Sequence, residues 1–297
     1  MLYPPPVSPG DRLRIVAPSG PFDKTLFYRG LAWLAERYRV VWSRRLFERR
    51  GYLAGDDRQR LDELNQALRD PEARALVAVR GGYGATRICP DADFAALRAH
   101  PKWCVGFSDF TALHVEATRL GVASLHAANV TGLGRGDAEA RADWAQALER
   151  PLVRRVFAEL EPLCAGSSAG VLAGGNLTLL FTAAASGRLA LPDRCVLFFE
   201  EVNEAPYRID RMLTALRASG KLASVVGVCV GELTDDGRHA ARRAALEAVH
   251  DCLAPLGVPI LAGLPMGHGR LNRSLPLGVG CELSAPHGQA GALIICP

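Results

Sequence analysis

Short apolar runs alternate with helical patterns over the first part of the chain, and this alternation limits the possible folds more than any other feature. Apolar runs fall at residues 13–17, 40–42, 75–79, 103–107 and 123–126. Helical patterns separate them at 26–38, at 58–69 with Leu61, Leu64 and Leu68, and after Phe107, where Phe110, Leu113, Ala117 and Leu120 share one face. Strand, turn and helix repeated in this way predict βαβ units and a parallel sheet. Functional groups of such sheets gather at the carboxyl ends of the strands.

Residues 136–162 are charged, carry Trp144, Leu148 and Leu152, and read as a helical connection. A second region follows. A strand at 170–176 runs into a turn and a helix, and Cys195 to Phe199 form a strongly apolar strand. Ile209, Met212, Leu213 and Leu216 mark a helix, followed by a strand at 225–230 and a helix at 240–253. The tail, 258–295, is rich in Gly and Pro and reads as short strands. The expected organisation is a first domain at 1–135, a linker at 136–165 and a second domain at 166–297.

The 297 residues, 49% hydrophobic and 22% charged, suffice for two modest cores and exclude a disordered or fibrous chain. No apolar stretch is long enough to span a membrane, and the Met1-Leu2-Tyr3-Pro4 start lacks the pattern of a secretory signal. The net charge of +4 is dispersed among acids, without the basic patch of a nucleic-acid binder. Eight cysteines, none in a C-x-x-C pair, read as small buried hydrophobes in a reducing, cytoplasmic setting. Neither H-E-x-x-H nor a Cys/His cluster is present, so no metal or cofactor is expected.

Gly106-Phe107-Ser108-Asp109-Phe110 places Ser108 where a buried strand turns sharply into a helix. That is the setting of a nucleophile elbow, with the unpaired N–H groups of the helix start beside the hydroxyl. The same Ser-Asp is also the pattern of an ordinary N-cap. Arg80-Gly81-Gly82-Tyr83-Gly84 follows the third strand. It matches neither a Walker loop nor a dinucleotide fingerprint, and it serves either as an anion or oxyanion site or as a tight turn. Glu200 and Glu201 end an apolar strand, suited to orienting an imidazole or simply to facing solvent. Among the histidines, His268 lies between two glycines, His126 ends the fifth strand, and His114 sits on the helix after Ser108.

These segments, with Ile15-Val16-Ala17-Pro18-Ser19-Gly20, Gly174-Gly175-Asn176-Leu177, Pro206-Tyr207-Arg208-Ile209-Asp210-Arg211 and Leu275-Pro276-Leu277-Gly278, resemble the L,D-carboxypeptidase family of serine peptidases. The family includes the microcin-immunity hydrolases. The resemblance runs in order from residue 15 to about 280. It implies a flavodoxin-like N-terminal domain, a smaller mixed α/β C-terminal domain and an active site between them. It implies a Ser108–Glu200–His268 triad, with Glu201 as spectator, and an oxyanion hole from the N–H groups of Asp109 and Gly82. The implied substrate is a murein tetrapeptide or muropeptide losing its terminal D-alanine, acted on by a homodimer without nucleic-acid or membrane partners. Arg80 is a candidate for the substrate carboxylate, because a guanidinium pairs a carboxylate in a fork. Where relatives often carry His-Gly-Pro, this chain has His126-Ala127-Ala128. The alternatives are a microcin-type acyl-adenylate peptide hydrolase and a non-catalytic small-molecule binding protein.

Overall fold

The computed structural model describes residues 1–234 and 239–296, and the described residues divide into two compact units. The first comprises 1–151 with 273–276, and the second 152–272 with 277–297. Pro297, the end of the expected second domain, lies outside the described residues.

In the first unit, strands β1 (Arg12–Val16), β2 (Arg39–Val41), β3 (Ala73–Ala78), β4 (Trp103–Gly106) and β5 (Ser124–His126) form a sheet in the order β5-β4-β3-β1-β2. Every pairing among them is parallel. The cause is local. In β3 and β4 nearly every residue is buried, as strands covered on both faces require. The crossover helices carry apolar stripes that cover the sheet: Leu64 and Leu68 of helix Asp57–Arg69 pack with Leu76, Phe110 and Leu113 in one core cluster. Asp23, Asp56, Asn129 and Asp137 cap their helices by accepting a backbone N–H three residues on.

A sixth strand, Leu275–Leu277, joins beside β5. The Asp143 carboxylate anchors the segment before it, accepting from the Ser274 N–H at 2.7 Å and from Arg273 at 3.2 Å. Residues 136–165 do not form a helical connection. Helix Ala138–Glu149 belongs to the first unit, and β6 (Arg155–Cys164) is a strand of the second. Phe157 and Leu160 of β6 are buried, and Pro162 is incompatible with a helix interior.

The second unit is a closed barrel of β6, β7 (Gly166–Asn176), β8 (Cys195–Val202), β9 (Val225–Thr234), β10 (Ile260–Ala262), β12 (Val279–Ala285) and β13 (Gly291–Ile295), where β11 denotes Leu275–Leu277. Its order is β10-β6-β13-β12-β7-β8-β9, and β9 pairs with β10 to close it. The β7-β8-β9-β10 side is parallel, and the β12-β13 side is antiparallel. Six of the eight free cysteines are buried in the two units, and burial pushes the Cys104 thiol up to about 12.

Helices Lys24–Ala35 and Val130–Arg135 approach backbone to backbone. A Cβ on Gly30 would lie 2.0 Å from the Val130 carbonyl oxygen. Gly30→Ala is therefore expected to destabilise the chain by about 1–3 kcal/mol through overpacking. Thermal unfolding should register this as roughly 2–4 °C for each kcal/mol. An unchanged melting temperature would contradict the close packing of these helices.

Candidate active site

Three loops meet at the carboxyl ends of neighbouring strands. Pro18-Ser19-Gly20 follows β1, Arg80–Gly84 follows β3 after Val79, and Phe107-Ser108-Asp109 follows β4. Ser108 adopts φ +65°, a left-handed conformation that a non-glycine residue holds only when its surroundings enforce it. It opens a single 3-10 turn, Ser108–Phe110, that runs into helix Thr111–Arg119. The N-cap of this turn is Phe107, without a side-chain cap bond, so Ser108 does not play the ordinary capping role. The strained turn is the local geometry of an elbow, with the serine at its apex.

Gly81 lies directly against that apex. A Cβ on Gly81 would fall 2.8 Å from Ser108 Cβ and 2.9 Å from Ser108 Oγ. Gly82, the expected oxyanion donor, has φ +111° and lies with its Cα against Gly20. Arg80 is exposed, and its Nη1 donates to the Pro21 carbonyl at 2.6 Å.

His114 sits beneath the turn, fully buried. Its Nε2 lies 3.0 Å from the Gly106 carbonyl, so Nε2 carries the proton, and Nδ1 accepts from Ser124 Oγ at 2.8 Å. Burial lowers its pKa to about 4, which keeps the ring neutral and makes it a strut between β4 and β5. His126 is also buried, 5.9 Å from the Phe107 ring centroid to centroid.

In the second unit, β8 ends in the two carboxylates. Successive strand residues point to opposite faces, and the two side chains find different partners. Glu200 is fully buried, and its Oε2 lies 2.7 Å from His268 Nδ1. Because a carboxylate only accepts, Nδ1 carries the proton and Nε2 is the basic nitrogen of the neutral ring. Burial disfavours the imidazolium, but the hydrogen bond and charge of Glu200, with the charge of Glu201, outweigh it and raise the His268 pKa. The loop can lie this close to β8 because residue 267 is glycine. Its φ is +128°, and a Cβ there would fall 2.9 Å from Glu200 Oε2. The Gly267 N–H donates to Asn272 Oδ1 at 3.2 Å, which holds the loop from its other end.

Glu201 turns the other way. It accepts from the Thr178 N–H and hydroxyl, both at 2.8 Å, from Asn176 Nδ2 at 3.1 Å and from the Val202 N–H at 2.8 Å. Its task is to hold the start of helix Leu177–Ala185, and burial nonetheless pushes its carboxyl up.

Arg60 was not singled out from the sequence. It is 2% exposed on helix Asp57–Arg69. A signal was available: Arg60 stands four residues before Leu64 and eight before Leu68, so it shares the buried stripe. The Asp109 side chain was likewise not assigned, although it lies inside the recognised motif. Among the described residues, no group of three or more His, Cys, Asp or Glu is arranged to hold a metal, and no helix is long and apolar enough to cross a membrane.

Residues 13–127 match the LD-carboxypeptidase N-terminal domain, and residues 169–283 match the LD-carboxypeptidase C-terminal domain. The chain is 34% identical over 238 residues to a Pseudomonas aeruginosa protein named murein tetrapeptide carboxypeptidase, with 76% of this chain and 78% of that protein covered. It is 31% identical over 291 residues to a Bacillus subtilis protein named "Probable murein peptide carboxypeptidase", with 95% of this chain and 91% of that one covered. The crystal structure of muramoyltetrapeptide carboxypeptidase from Oxalobacter formigenes superposes with a TM-score of 0.85 at 26% identity, covering 96% of this chain and 99% of that one. Two domain matches in order, together with relatives above 30% identity over most of the chain, establish that this protein belongs to the LD-carboxypeptidase family.

Proposed function

We propose that the chain is a serine carboxypeptidase that removes the terminal D-alanine from murein tetrapeptides or muropeptides. In this reading a flavodoxin-like sheet carries the nucleophile, and the second unit supplies the base. The observation that carries it is the left-handed backbone of Ser108 at the carboxyl end of β4. The names of the relatives supply the substrate class.

Ser108 Oγ attacks the carbonyl carbon of the last peptide bond while its proton passes to His268 Nε2. Glu200 holds the imidazole through Nδ1 and stabilises the imidazolium that forms. The negative oxygen of the tetrahedral intermediate is received by the N–H groups of Asp109 and Gly82. The intermediate collapses, the C–N bond breaks, and D-alanine leaves with the proton from His268. Water then gives a proton to His268 and attacks the ester. The tripeptide departs as its acid, and Ser108 regains its proton. Arg80, whose guanidinium already donates to Pro21, pairs with the free carboxylate of the substrate. The eight free thiols suit a reducing cytoplasm, and a homodimer completes the reading.

Incubation with L-Ala-D-Glu-meso-diaminopimelate-D-Ala is expected to release free D-alanine, and a chelator is expected to leave the rate unchanged. Absence of D-alanine, or loss of its release on chelation, would contradict the proposal. Gly81→Ala forces a methyl group against Ser108, and kcat should fall about 10²–10³-fold, the usual cost of disturbing an oxyanion site. Wild-type kcat in that variant would show that the loop does not serve the serine.

A further inference from the structure

The three loops around Ser108 are tied together by two buried, charged side chains for which the chemistry above has no use. Asp109 is 1% exposed, and its carboxylate Oδ2 accepts from the Ala85 N–H at 2.8 Å, where the Gly-rich loop enters helix Ala85–Ile88. Burial pushes its carboxyl up, against the Ser19 hydroxyl, the Ala85 N–H and the charge of Arg60, all of which favour the ionised form. Arg60 reaches the same place from the helix below. Its Nη1 donates to the Gly84 carbonyl at 2.9 Å and to the Pro18 carbonyl, and its Nη2 pairs with Asp57. The Gly20 N–H donates to the Gly81 carbonyl at 3.2 Å, which joins the loop after β1 to the Gly-rich loop. A buried guanidinium and a buried carboxylate are costly unless their hydrogen bonds are made, so each bond here resists displacement of the loops.

We propose that Asp109 and Arg60 are positioning residues that clamp the loops after β1 and β3 to the Ser108 turn and so hold the backbone N–H groups that receive the oxyanion. The inference rests on the proposed serine mechanism and extends it. Asp109 contributes its N–H to the oxyanion, and its side chain fixes the loop carrying the second donor. Arg60 touches neither substrate nor reacting atoms. It fixes both ends of the same loop system through backbone carbonyls. The Pro18-Ser19-Gly20 segment thereby acquires a role, because Pro18 accepts from Arg60, and Gly20 donates to Gly81.

The test measures acylation of Ser108 by a fluorophosphonate probe, together with kcat and KM for D-alanine release, in the full-length chain. Asp109→Ala leaves the Ala85 N–H without its acceptor, and acylation and kcat should fall about 10²–10³-fold with KM within about twofold. Asp109→Asn keeps one acceptor oxygen and should recover to within about tenfold of wild type on the same scale. Arg60→Lys retains the charge but loses the planar fork that holds Nη1 at the two carbonyls while Nη2 pairs with Asp57, and kcat should fall about tenfold at unchanged KM. Should Asp109→Ala not fold, Arg60→Lys carries the test. Wild-type acylation in the folded variants, or a loss expressed in KM alone, would overturn the clamp. Wild-type protein that neither labels at Ser108 nor releases D-alanine would instead overturn the serine mechanism and the clamp with it.

Discussion

Ser108→Ala is expected to lower kcat for D-alanine release by about 10⁴–10⁶-fold, the scale of losing a nucleophile that works as one unit with its base. KM should change little, because the missing oxygen forms its bond only as the reaction proceeds. The variant should remain folded, since Ala occupies no more space than Ser. The backbone supplies a control. Ser108 holds φ +65° at a cost of about 1–2 kcal/mol for a side chain with a Cβ. Ser108→Gly removes that cost and should raise the melting temperature while abolishing activity. A gain in stability together with a loss of turnover would show that the strain is kept for function. D-alanine release that survives in both variants would place the chemistry elsewhere.

Glu200→Gln is expected to lower kcat about 10⁴-fold, because an amide can present either its oxygen or its NH₂ to Nδ1 and no longer dictates the tautomer. The pH profile carries further information. A raised His268 pKa means that the imidazolium persists above the ordinary histidine value of 6.5. The ring acts as a base only when neutral, so kcat/KM should rise with pH through that raised value. In Glu200→Gln the burial of the ring persists, but the opposing carboxylate charge is gone. The rising limb of the residual activity should therefore move to lower pH. The same raised pKa gives a stabilising contribution that is fully present below the unfolded value and lost as pH rises through the folded value. A limb that stays in place would contradict a direct role for Glu200.

The parallel sheet of the first unit was legible because buried parallel strands advertise themselves. Residues 75–79 and 103–107 are near-continuous apolar runs separated by helices with clean stripes. The candidate elbow was legible for the same reason, since Ser108 stands where one pattern stops and the other starts. The barrel was not. Strand β10 has only three residues, and closure depends on pairings such as β6 with β13 that join distant parts of the chain. Strand β6 does not show a strand's alternation, because its two buried residues, Phe157 and Leu160, stand three apart, a spacing that a helix shares. The division of labour between Glu200 and Glu201 follows from strand parity, but which of the two faces His268 depends on a loop 68 residues away. Arg60 was not legible because an Arg within the charged run Asp56-Asp57-Arg58-Gln59-Arg60-Leu61-Asp62 has the pattern of a solvated face, and only its helical spacing to Leu64 and Leu68 sets it apart.

The most direct measurement is mass-spectrometric mapping of a fluorophosphonate adduct, with its rate of formation compared between wild type and His268→Ala. A serine activated by the Glu200–His268 pair should carry the adduct at Ser108 and lose at least about a hundredfold in labelling rate without the imidazole. An adduct at another residue, or equal rates in the two proteins, would contradict the account.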